Sequence, residues 1–91
     1  MSRVVCEIVL SQGQWSYCPT RLRVQRRLRQ VFGDSLLVVT FHDSDDGAID
    51  TEASVAGDED SCEGISDAVF RAFLEWRPEF ESMIDVSVAV D

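Results

Sequence analysis

Near each end of the chain, hydrophobic and polar residues alternate with a period of two. Between these stretches lie two segments with the period of a helix. Val4, Cys6, Ile8 and Leu10 alternate with Arg3, Val5, Glu7 and Val9, which predicts a strand with one buried face. Ser11 to Tyr17 reads as a polar loop carrying Trp15, and Pro19 suits the first turn of a helix with Ser16 or Cys18 near its cap. From Arg21 the spacing changes. At about 100° per residue, Val24, Leu28, Val31 and Phe32 fall within one arc of about 100°, while Arg23, Arg26, Arg27 and Arg29 lie opposite, and Gly33 supplies a stop.

A second strand follows, with Leu37, Val39 and Phe41 alternating with Leu36, Val38 and Thr40. Asp45, Asp46 and Gly47 form a turn signal. A three-residue loop sets Phe41 opposite Thr51, Val39 opposite Ala53 and Leu37 opposite Val55, with His42 meeting Asp50 and Thr40 meeting Glu52 on the other face. A two-residue loop would set Phe41 against Glu52, so burial selects the longer one. Asp60 and Glu63 read as a variant capping box. Ile65, Ala68, Val69, Ala72, Phe73 and Trp76 then form a helix face, Asp67 and Arg71 stand one turn apart, and Pro78 ends the helix. Ile84, Val86, Val88 and Val90 alternate with Asp85, Ser87, Ala89 and Asp91 in a last strand.

The order strand, helix, strand, strand, helix, strand predicts an α+β, ferredoxin-like βαββαβ sandwich, with a four-stranded antiparallel sheet and two helices on one face. Residues 1–91 are expected to form one domain. With 45% hydrophobic residues, the chain can fill a modest core. No apolar run approaches the roughly 20 residues that span a bilayer, and the stretch from Val4 to Leu10 is too short and too polar for a signal peptide. Cys6, Cys18 and Cys62 are odd in number and widely spaced, so free thiols in a cytoplasmic protein are expected.

Charge changes the picture more than composition does. The net charge is -9, and no lysine is present. Residues 1–33 hold six arginines against a single acid, whereas residues 34–91 hold two arginines against sixteen acids. Ten carboxylates, Asp43, Asp45, Asp46, Asp50, Glu52, Asp58, Glu59, Asp60, Glu63 and Asp67, follow one another without a basic residue. Such polarity excludes bare nucleic acid and anionic membranes as expected partners and favours a protein with a basic surface.

Candidate chemistry is sparse. Cys18 precedes Pro19 at an expected helix start, where the dipole favours thiolate. However, no second cysteine completes a C-x-x-C pair, and Val24 stands where a phosphatase loop needs arginine. The cysteines and His42 lack the close pairing of zinc ligands, and the turn at Gly47 lacks the end carboxylates of a calcium loop. No metal or cofactor is therefore expected. His42 opposite Asp50 would be a pH-sensitive hairpin pair. RNA-recognition domains share the expected architecture but stack bases on outward aromatics. The outward positions here are Val5, Glu7, Val9, Asp50, Glu52 and Ser54. Acylphosphatases also share it, and the arginine their phosphate loop needs is missing before Arg21.

The leading expectation is a non-enzymatic, protein-binding domain whose ten carboxylates occupy a basic groove made for DNA or RNA. Small, lysine-free, acidic domains without a catalytic site resemble, in character and without any shared motif, phage-encoded inhibitors of host nucleases such as anti-CRISPR and anti-restriction proteins. Trp15 and Tyr17 with Arg23, Arg26 and Arg27 form a second expected interface. Two alternatives stand beside this reading. One is a homodimer or other homo-oligomeric domain joined through an open sheet face bearing Val5, Val9, Leu36 and Val38. The other is a thiol enzyme using Cys18.

Overall fold

The computed structural model describes residues 2–10, 21–42 and 49–91. They form β1 (Arg3–Leu10), α1 (Arg21–Phe32), β2 (Leu36–His42), β3 (Ile49–Ala56), α2 (Cys62–Trp76) and β4 (Ile84–Val90). Short 3-10 turns, Gly33–Ser35, Glu59–Ser61 and Pro78–Ser82, lead into β2, into α2 and out of α2. The strands make one antiparallel sheet in the order β2-β3-β1-β4. The architecture is α+β, with the ferredoxin-like βαββαβ arrangement expected from the sequence.

The alternation in the central strands decides which face is buried. Val4, Cys6, Ile8 and Leu10 of β1 and Thr51, Ala53 and Val55 of β3 are buried, along with Val24 and Leu28 of α1 and Ile65, Val69 and Phe73 of α2. Phe32, Leu36, Val39, Phe41, Ile84, Val86 and Val88 pack around this core. Burying each large side chain contributes about 1.5–3 kcal/mol. Val31, at the edge of the expected arc on α1, is only half-buried.

Phe73, Trp76 and Phe80 form an aromatic cluster where α2 ends, with ring centroids 5.5 to 6.3 Å apart. Pro78 forces Arg77 into extended backbone (φ -148°, ψ 116°), and the turn that follows returns the buried Phe80 to the cluster. Gly33 adopts φ +56°, the left-handed conformation that ends α1.

Four local expectations are corrected. The hairpin pairs Phe41–Thr51, Val39–Ala53, His42–Asp50 and Thr40–Glu52 form, but Leu36 rather than Leu37 lies opposite Val55, through a register shift between Leu36 and Val38. The Leu36 amide is committed to the Gly33 carbonyl, closing the 3-10 turn. β2 therefore starts irregularly, and Leu37 is left 48% exposed. For the same reason Leu36 packs against the core and does not belong to the open sheet face. The capping box is made by Asp58 and Ser61, not Asp60 and Glu63: Asp58 Oδ1 accepts from the Ser61 N–H at 3.2 Å, because a 3-10 turn precedes α2. Finally, the His42 ring reaches diagonally to Glu52 at 3.2 Å instead of pairing with Asp50 directly across. The Asp67–Arg71 pair forms at 2.6 Å as expected.

Thr51 is fully buried, and its hydroxyl has no hydrogen-bond partner among the described residues. Thr51→Val keeps the shape and removes an unpaired polar group, so the denaturant midpoint should rise, corresponding to about 1 kcal/mol. Gly33→Ala meets no steric contact within 4 Å but must adopt the left-handed backbone, so the same measurement should fall by about 1–2 kcal/mol.

Candidate functional site

The sheet geometry sorts the charged residues onto three surfaces. Because Thr51, Ala53 and Val55 point toward the helices, Asp50, Glu52 and Ser54 must point to the opposite, open face. The ladder aligns Val38, Ser54, Val5 and Ala89 in one row, Thr40, Glu52, Glu7 and Ser87 in the next, and His42, Asp50, Val9 and Asp85 in the third. Glu7 and Glu52 are direct cross-strand partners, a juxtaposition of like charges that is unfavourable in itself. The His42 ring beside Glu52 is the nearest counter-group, and both side chains are well exposed.

The second surface is a groove of about 920 Å³ between α2 and β4. Phe70, Ile84 and Val86 supply its apolar part, Gly64 and Ser66 its narrow positions, and Asp60, Glu63 and Asp67 its charge. The helix repeat places Asp60, Glu63 and Asp67 on one side, three and four residues apart. Asp85 of β4 borders the groove, but alternation points its side chain to the open face, in the row of Val9 and Asp50. Among the described residues no basic residue lines the groove, although Asp67 also receives the Arg71 guanidinium from the next turn of α2.

The third surface is the outer side of α1, where Arg23, Arg26 and Arg29 are exposed. Arg27 stacks its guanidinium over the Trp76 ring at 5.3 Å, which ties α1 to the end of α2. Arg23, Arg26, Arg27, Gln30 and Trp76 border a shallow depression of about 200 Å³. Among the described residues the aromatic group beside these arginines is Trp76, which the sequence placed only on the core face of α2. Trp15 and Tyr17 lie outside the described residues.

The acidic stretch is therefore not one face. Asp50 and Glu52 belong to the open sheet. Asp60, Glu63 and Asp67 belong to the helix side, Glu59 is exposed at its start, and the Asp58 carboxylate is occupied by the helix cap. Asp43, Asp45 and Asp46 lie outside the described residues. Two carboxylates not counted among the ten, Glu7 and Asp85, join the open sheet face. Their outward position was legible in the period of two, but their neighbours were not.

The described part of the chain holds two free thiols, Cys6 and Cys62. Cys6 is fully buried in β1, and burial pushes its thiol up from the usual 9.0 to about 11. Cys62 opens α2 and its sulfur lies 3.7 Å from the Asp58 carbonyl oxygen. Cys18 lies outside the described residues. Among those residues no three His, Cys, Asp or Glu side chains converge as metal ligands, and no helix is long and apolar enough to cross a membrane. Comparison with protein-family models, curated proteins and solved structures gave no match.

At pH 8 a thiol reagent should modify Cys62 in the folded protein and spare Cys6 until denaturant is added, as read by peptide mass spectrometry. Equal native-state labelling of both would contradict the burial of Cys6. Because the folded pKa of Cys6 lies above the unfolded one, the associated stability is intact below pH 9 and is lost as pH rises toward 11. The chain has no lysine to titrate in that window. The pH dependence of unfolding between wild type and Cys6→Ala should therefore differ there with this sign.

Proposed function

We propose that the chain is a non-enzymatic protein-binding domain that presents carboxylates to a basic surface of a nucleic-acid-handling protein, acting as an inhibitor of the anti-CRISPR or anti-restriction kind. The supporting observation is the α2–β4 groove, where Asp60, Glu63 and Asp67 stand beside Phe70, Ile84 and Val86, with no basic residue among the described residues that line it. A protein surface that holds phosphates offers arginine and lysine side chains. Carboxylates held on a helix and the turn that leads into it compete for those cations without the conformational cost of ordering a loop. The apolar strip adds area that does not depend on salt.

The homodimer reading has less support. Leu36 is withdrawn from the open face, and Glu7 and Glu52 occupy its centre, so a symmetric face-to-face pair would bring four glutamates together.

The test is DNA cleavage by a panel of CRISPR and restriction nucleases in the presence of the protein, across a salt series. At least one nuclease should be inhibited, and inhibition should weaken steeply as salt rises. Reversing the charge with Asp60→Arg, Glu63→Arg and Asp67→Arg together should weaken that inhibition by about a hundredfold. Asp58 is left intact so that the helix cap survives. No inhibition across the panel, or undiminished inhibition by the reversed variant, would overturn the proposal.

A further inference from the structure

β4 is an edge strand, and among the described residues no backbone group pairs with its outer side. The Asp91 N–H donates to the Arg3 carbonyl at 3.1 Å, which marks that pair as hydrogen-bonded. Such pairs alternate along an antiparallel ladder. Val5–Ala89, Glu7–Ser87 and Val9–Asp85 therefore bond inward, leaving the N–H and C=O groups of Ile84, Val86, Val88 and Val90 directed away from the sheet. The β1–β4 register runs without a shift from Leu10–Ile84 to Val4–Val90, whereas the other edge, β2, is broken by its irregularity between Leu36 and Val38. β4 carries no proline and no lysine, two common protections of an exposed edge, and Val90 is 48% exposed. The acidic groove borders this same edge at Ile84 and Val86, and a Cβ at Gly64 on its helix wall would meet no described atom within 4 Å.

We infer that the β4 edge and its groove take one extended, basic segment of a partner protein, added as a fifth strand beside β4. A strand placed there would lie about 4.8 Å from β4 and direct every second side chain into the space between β4 and α2. Arginine or lysine at those positions would lay its aliphatic stem over Phe70, Ile84 and Val86 and deliver its charge to Asp60, Glu63 and Asp67. The edge supplies main-chain hydrogen bonds and the groove selects the sign of the side chains. A second copy of this chain suits the edge poorly. Pairing β4 with β4 would oppose two sets of the same carboxylates in molecules that each carry -9. The inference rests on the reading that the partner is a basic protein, and it specifies which part of that partner is held.

The probe is a short, capped, fluorescent peptide alternating arginine and valine, titrated at low salt by anisotropy. The comparison peptides carry N-methyl groups on every second residue, in one register or the other, or alternate arginine with proline. The parent should bind and should raise amide-exchange protection at Val86 and Val88. One N-methyl register should lose at least about tenfold in affinity and the other little, since only alternate amides face the edge. The proline peptide should lose as much as the blocked register. Val88→Pro, which removes an outward amide, should reduce binding with the circular dichroism spectrum unchanged, and Glu63→Gln with Asp67→Asn should reduce it in a fully folded protein.

Equal binding of both N-methyl registers and of the proline peptide would overturn strand addition, as would no peptide binding by a protein that still inhibits a nuclease. In both cases the broader acidic-inhibitor reading would stand. A dimer that the peptide does not disperse and that Val88→Pro abolishes would give the edge to a second copy and overturn the inference. Register-specific peptide binding without inhibition of any nuclease would retire the nuclease proposal and leave the strand site in place.

Discussion

The strict two-sidedness of β1 and β3 is the constraint on which the rest of the structure depends. Each of these central strands is hydrogen-bonded on both edges and covered on one face by helices. Slipping either by one residue would turn Glu7, Asp50 and Glu52 into the core and bring Cys6, Ile8 and Ala53 out. In a chain this short no other set of apolar residues could take their place, so this register fixes the helices, the open face and the positions of the charges.

From that constraint follows the separation of charge. The helices pack their apolar stripes onto the sheet, which leaves arginines on the outside of α1 and carboxylates on the outside of α2. The two helices touch through Arg27 over Trp76, so one arginine of the basic stripe belongs to the structure and not to the surface. On the other side of the sheet, the same alternation brings Glu7 and Glu52 side by side. Their repulsion is softened by exposure to water and by His42, which such a pair could not expect in a buried setting. A protein that keeps like charges together on two surfaces gives up some stability, and a partner of opposite charge would restore it on binding.

The two sheet edges differ for a local reason. β2 emerges from a 3-10 turn that takes up the Leu36 amide, and the resulting irregularity breaks its regular outline. β4 follows the turn Pro78–Ser82, which is anchored by Phe80, and runs straight from Ile84. The groove arises where α2 leaves Phe70 only half-buried beside this strand. Edge, apolar strip and carboxylates thus coincide through the path of one connection, not through any motif.

Periodicity, together with turn residues and proline, determined the six elements, their order, the buried face of each strand, the hairpin register near Phe41 and the end of α2 at Pro78. These are local matters: spacing, turn chemistry and the backbone limits of glycine and proline act within a few residues. The placement of Leu36 over Leu37 and the choice of Asp58 over Asp60 as cap depended on 3-10 turns, which leave no periodic trace in the sequence. The division of the acidic stretch between two faces, and the recruitment of Glu7 and Asp85 to one of them, required the strand order β2-β3-β1-β4. A run of carboxylates is contiguous in sequence, but the sheet lies between alternate parts of it. Only the assembled strands and helices decide which charges become neighbours, because Coulomb interactions depend on distance in space and not along the chain.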